Sequence, residues 1–210
     1  TLFMGGASNA INMTLYSKPP YNTARDFAPV VWCVQGAALL AAHPSLPPNN
    51  LKDFIAYAKA NPGKLNFASQ GNGSLSHVGT ALLEQTTGIE MTHVPYKGSG
   101  PAIQDVLAGQ VQVFMTTPPS VMQHVQAGKL KAYAVTGKTR HPGLPNVPTT
   151  AEAGLAGFGL EAWVGLFAPA GTPPAVIQTL TEKVKAALAT PEAKTVADRT
   201  GIEIRYLGPE

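Results

Sequence analysis

Residues 90–117, EMTHVPYKGSGPAIQDVLAGQVQVFMTT, restrict the fold more than any other stretch. They read as strand, glycine-rich turn, helix, strand. Thr92 to Pro95 is extended and partly apolar. Lys97-Gly98-Ser99-Gly100-Pro101 forms the turn, with Pro101 suited to a first helical turn. Ile103, Val106 and Leu107 share one helical face, Gly109 ends the helix, and Val111 and Val113 alternate into the next strand. The turn gathers free backbone N–H groups, a positive helix end and a lysine in one place, which is the chemistry of a site for a small anion.

The same rhythm continues along the chain. Asn50 is placed to cap a helix over 51–60, in which Leu51, Phe54, Ile55 and Ala58 form one apolar stripe, and Asn61-Pro62-Gly63 stops it. Strands are expected over 65–68, 130–135, 160–168 and 202–206, and helices over 75–87, 118–127, 174–189 and 191–199. Ser8 or Asn9 is expected to cap a short helix over 10–15, and Thr172 the helix over 174–189. Alternation of this kind predicts an α/β fold with mostly parallel sheets. The proline-rich HPSLPP at 43–48 and a return near 157–160 suggest two lobes: a continuous one over 44–158, and a first lobe assembled from 1–43 and 159–210 that is short of strands. The chain opens on the apolar run TLFM and closes on Gly208-Pro209-Glu210, so both ends read as cut.

Composition narrows the functional classes. Hydrophobic residues make up 44% of the chain and charged ones 13%, with a net charge of +3. The lysines are scattered without a basic stripe, which argues against a nucleic-acid partner. No apolar run reaches the roughly 18 residues of a membrane span. The single cysteine, Cys33, sits in VVWCV and reads as a buried hydrophobe.

Several motifs suggest chemistry and fall short of it. Gly71-Asn72-Gly73-Ser74-Leu75-Ser76 matches a dinucleotide fingerprint only in part, with Ser76 at the third glycine position. Gly137-Lys138-Thr139 resembles a P-loop, but Arg140-His141-Pro142 follows where a helix is needed. The five histidines lack metal-ligand spacing, and no nucleophile elbow accompanies Ser74, Ser76 and His77. No cofactor and no catalytic group is expected. The candidate loops, 5–9, 69–77, 96–101 and 116–120, contain no Asp or Glu. They offer amides, hydroxyls and Lys97, and so point to an anionic ligand rather than a cationic one.

LKDFIAYAKANPGKLNFAS, GNGSLSH, HVPYKGSGPAIQDVLAGQVQV, AGKLKAYAVTGKTRHPGLPNVPTTAEAG and AWVGLFAPAGTPP, in this order, closely resemble the substrate-binding receptors of tripartite tricarboxylate transporters, also called Bug receptors. The resemblance covers essentially the whole chain. It implies a two-lobed architecture of the type II periplasmic-binding-protein kind with its first lobe incomplete. It also implies a monomeric periplasmic receptor, not an enzyme, that binds a small organic carboxylate and passes it to a two-subunit membrane permease. A carboxylate-sensing or scaffold role without transport is the alternative, with an α/β enzyme acting on a small anion behind it. By the resemblance, Ala7 and Ser8 contribute to ligand binding from the first lobe. Ser69, Gly71, Asn72, Gly73, Ser76 and the Tyr96-Lys97-Gly98 turn contribute from the second, and Thr116, Thr117 and Trp163 shape the far end. Two departures stand out. The glycine-rich loop that opens such receptors, of the form PFPAGG, is missing. Met115-Thr116-Thr117 stands where many members carry an acidic residue, which disfavours an amino-acid ligand.

Overall fold

The computed structural model describes residues 1–209; Glu210, at the end of the expected first lobe, lies outside the described residues. The chain forms two compact units. One comprises Thr1–Gly36 and the residues from Ala162 onward, and the other Ala37–Glu161.

The first unit carries a four-stranded sheet. Its elements are β1 (Phe3–Gly6), α1 (Ala7–Leu15), α2 (Thr23–Asp26) and β2 (Phe27–Ala37), and, from the C-terminal part of the chain, a long strand over Glu161–Pro169, two helices and a last strand over Glu203–Leu207. The strand over 161–169 lies between β1 and β2, and the last strand flanks β2. β1 runs antiparallel to the 161–169 strand, and β2 antiparallel to the last strand. The helix over Pro174–Leu188 lays Ile177, Leu180, Val184 and Leu188 against Val30, Val31, Cys33 and Ala168. Burial pushes the Cys33 thiol pKa up, as expected of a thiol among apolar neighbours. An aromatic cluster completes this unit: Trp32 and Trp163 lie 4.9 Å apart, and Phe3 stacks on Phe27 at 5.1 Å.

The second unit holds β3 (Leu39–Ala42), α3 (Leu51–Ala60), β4 (Asn66–Ser69), α4 (Leu75–Thr87), β5 (Thr92–Pro95), α5 (Ser99–Leu107), β6 (Val113–Thr116), α6 (Pro118–Gln126) and β7 (Lys131–Val135). The remaining elements of the first unit are then β8 (Glu161–Pro169), α7 (Pro174–Leu188), α8 (Pro191–Thr200) and β9 (Glu203–Leu207). The sheet order in the second unit is β5-β4-β6-β3-β7. β4 is parallel to β5 and β6, whereas β3 is antiparallel to both β6 and β7. Four of these strands therefore share one direction and β3 opposes them. Together with the antiparallel pairs of the first unit, this makes the architecture mixed rather than mostly parallel. Two apolar clusters form the core of the second unit. Phe54, Phe67, Leu83, Met115 and Tyr133 belong to one, and Leu39, Ala68, Val106, Phe114 and Val135 to the other.

The unit boundary at 36/37 differs from the expected 43/44 because of β3. All four β3 residues are buried, held between β6 and β7, so this strand belongs to the second unit. The proline-rich stretch after it is stitched to the same sheet. The Lys131 ammonium donates to the carbonyls of Leu46 (2.6 Å) and Pro48 (3.1 Å), and the Tyr133 hydroxyl donates to Pro48 at 3.1 Å. Two expected caps are also corrected. Gly6 precedes α1, and Asn9 Oδ1 reaches back from inside the helix to accept from the Gly6 N–H. Thr172 donates its hydroxyl to the Pro169 carbonyl, and Pro173 takes the cap position of α7. Asn50, by contrast, caps α3 by accepting from the Asp53 N–H at 2.8 Å.

Candidate functional site

β4, β5 and β6 are parallel neighbours, so their C-terminal ends, Ser69, Pro95 and Thr116, lie along one edge of the sheet. Each strand runs within a few residues into a helix: α4, α5 and α6. Three helix N-termini therefore open at this edge, where α/β sheets place their ligands. Their electrostatic character is positive.

The first loop is built on Ser69. Its hydroxyl is fully buried, accepts from the Gly71 N–H at 3.1 Å and pairs with His93 Nε2 at 2.6 Å. The backbone of Tyr96 donates to the Ser69 carbonyl at 3.0 Å, joining the loops after β4 and β5. Gly71 has φ +123°, a conformation that a side chain resists, and a Cβ there would stand 3.3 Å from the Tyr96 carbonyl oxygen. Gly73 donates its N–H to His77 Nδ1 at 3.2 Å, and Ser74 caps α4 by accepting from the His77 N–H. His77 stacks on His93 at 4.2 Å, and burial together with this neighbour lowers the His93 pKa. Asn72 is exposed at the loop tip.

The second loop is Tyr96-Lys97-Gly98. The Tyr96 hydroxyl donates to Asp105 Oδ2 at 2.7 Å, and burial plus this carboxylate push the phenol pKa up to about 12. Lys97 is exposed. Gly98 precedes α5 at φ +107°, and no side chain caps that helix, so the first-turn amides stay open to a ligand.

The third loop starts at Thr116, which is fully buried, and Thr117, whose hydroxyl lies 3.3 Å from that of Ser120. Gln70 crosses between the loops. Its Nε2 donates to Ser99 Oγ at 2.6 Å and to Thr116 Oγ1 at 3.4 Å.

The second unit thus brings Ser69, Gly71, Asn72, Gly73, Tyr96, Lys97, Gly98, Thr116 and Thr117 to one sheet edge. Ser76 belongs to the first turn of α4, but its side chain is fully buried and its hydroxyl lacks a partner among the described residues. Ala7 and Ser8 open α1 and are half-buried, and Trp163 lies in β8 against Trp32; these three belong to the first unit. Gln70 and Ser99 were missed by sequence reasoning. A glutamine between Ser69 and Gly71 carries no motif of its own, and its partners lie 29 and 46 residues away. Among the described residues, no group of three His, Cys, Asp or Glu side chains could hold a metal ion, and no helix is long and apolar enough to cross a membrane.

The chain is a two-unit α/β protein with an amide- and hydroxyl-lined sheet edge. It belongs to the tripartite tricarboxylate transporter receptor family, whose model matches residues 1–208, a family of solute receptors rather than enzymes. It is 36% identical over 211 residues to a protein from the tcbD–tcbE intergenic region of Pseudomonas sp. strain P51, an alignment covering all of this chain and 63% of that relative. An R. palustris protein solved with adipate superposes with a TM-score of 0.93 at 33% identity, covering 100% of this chain and 70% of the other. MatC from Rhodopseudomonas palustris, solved with bound malate, superposes with a TM-score of 0.90 at 35% identity, covering 97% and 70%. The chain therefore spans less than two thirds of the first relative's length.

Proposed function

We propose that this chain is the larger part of an extracytoplasmic, periplasmic receptor that binds a small organic carboxylate and delivers it to the two-subunit permease of its transporter. One observation carries the reading: three parallel strands end at one edge of the second unit, each feeding a helix N-terminus, and the connecting loops are free of Asp and Glu. Amides at the mouth of α5 and the Asn72 N–H, in the loop whose Gly71 and Gly73 amides are engaged within the protein, take the ligand's negative charge. Such bonds to an ionised acceptor are about twice as strong as neutral ones. Lys97 adds a mobile point charge at the rim. The Ser69 and Tyr96 side chains, whose hydroxyls are engaged within the protein, serve by fixing those amides in place. In the first unit, Ala7, Ser8 and Trp163 are further candidate contacts. The adipate and malate held by two relatives support the ligand class.

Isothermal titration of the chain with a panel of mono-, di- and tricarboxylates tests this. Saturable binding of at least one di- or tricarboxylate is expected, whereas a silent panel contradicts the proposal.

A further inference from the structure

Gln70 joins all three loops of the edge. It stands in the loop after β4, and its amide nitrogen reaches Ser99 Oγ in the first turn of α5 and Thr116 Oγ1 at the end of β6. A hydroxyl has one proton to give and two lone pairs to fill. The short contact to Ser99 fills one of them with an amide proton, so the Ser99 O–H is left to donate elsewhere. Ser99 is half-buried at the open, uncapped end of α5, beside backbone amides that can only donate. Thr116 is fully buried and anchors the amide from below.

We infer that Gln70 is the positioning residue that sets the polarity of the ligand mouth: by donating to Ser99 and Thr116 it turns the Ser99 hydroxyl into a donor, so that the mouth selects an ionised carboxylate over the corresponding carboxamide. This rests on the proposed carboxylate-binding function. A carboxylate presents only acceptors to the mouth, whereas a carboxamide brings an NH2 group that meets donors on every side. Glutamate at position 70 reverses the arrangement. Its oxygens accept from Ser99 and Thr116, consume their protons and place a negative charge beside the ligand.

The test uses the full chain and measures affinities for adipate, malate and the monoamide of adipate by calorimetry, in the unaltered protein, Gln70→Glu and Gln70→Met. The unaltered chain is expected to prefer adipate to its monoamide. Gln70→Glu is expected to weaken dicarboxylate binding by about 10- to 150-fold, the equivalent of one lost bond to a charged acceptor. Gln70→Met, which leaves the hydroxyl free to rotate, is expected to fall between the two. The ratio of unaltered to Gln70→Glu affinity is expected to narrow from pH 8 to pH 5, as the new carboxyl gains a proton it can donate; ligand protonation cancels from this ratio. A merely structural role for Gln70 moves thermal stability without moving that ratio. Dicarboxylate binding by the unaltered chain with equal affinities in all three proteins, or a ratio independent of pH, overturns the inference and leaves the receptor reading intact. Absence of dicarboxylate binding by the unaltered chain overturns both.

Discussion

Ser69→Ala removes the hydroxyl on which the first loop is built, and its cost can be worked from the contacts. Ser69 Oγ is fully buried and makes three contacts: it accepts from the Gly71 N–H at 3.1 Å, reaches the Gly71 carbonyl at 3.2 Å and pairs with His93 Nε2 at 2.6 Å. A neutral hydrogen bond contributes about 1 kcal/mol net, and a buried group left without its partner costs about 1–3 kcal/mol. Gly71 and His93 are half-buried, so water recovers part of that penalty. The expected destabilisation is about 2 kcal/mol. For a chain of this size it corresponds to a fall in Tm of roughly 4–8 °C. Urea unfolding followed by far-ultraviolet circular dichroism is the appropriate assay, because both tryptophans, Trp32 and Trp163, belong to the first unit and report on it. The midpoint should drop with no change in slope. A midpoint shift equivalent to less than about 0.5 kcal/mol would refute the reasoning, since a surface substitution does as much.

Three further outcomes follow from the same geometry. His93 is held neutral, by burial first and the neighbouring His77 second, so its folded pKa lies below its unfolded one near 6.5. The unfolded chain therefore takes up a proton first as pH falls, and stability declines below about pH 6.5. Comparing urea midpoints of the unaltered protein and His93→Gln from pH 8 to pH 5 isolates this group, and equal slopes would count against it. Thr80, four residues after Ser76 on α4, is fully buried with a hydroxyl that lacks a partner among the described residues. Thr80→Val should be neutral or stabilising by about 1 kcal/mol, and a clear loss in the melting temperature would show instead that a buried water links the two hydroxyls. Lys97→Ala should leave stability unchanged and weaken dicarboxylate binding by less than about threefold, as an exposed charge is screened; a loss beyond about tenfold in calorimetry would make the ammonium a direct ligand contact.

The elements legible in the sequence were those with local causes. α3, with Asn50 before it and Asn61-Pro62-Gly63 after it, starts and stops where expected, as does α4 between Ser74 and Gly88. β3 was not legible as part of the second unit, because nothing local in LLAA reveals that β6 and β7 lie on either side of it. The prolines of HPSLPP read as a boundary, although long-range bonds from Lys131 and Tyr133 tie them to the sheet. The glycine loops of the site were visible for a local reason: Gly71 and Gly98 hold positive φ, which only glycine takes readily. What the hydroxyls do was hidden. Ser69 turns inward to His93, 24 residues on, and Tyr96 to Asp105, so residues of ligand-binding type act as supports. Gln70 shows the converse, since its role exists only once three loops converge.

The proposed receptor takes a ligand's negative charge on backbone amides at the β4–β6 edge of the second unit. The most direct measurement is a titration of the ¹⁵N-labelled chain with adipate, followed by the shifts of its backbone amides. If the edge amides hold the ligand, the largest changes fall on Asn72, Gly98 and Ser99 and saturate together. Saturable shifts confined to other parts of the chain, with those three amides unmoved, would refute it.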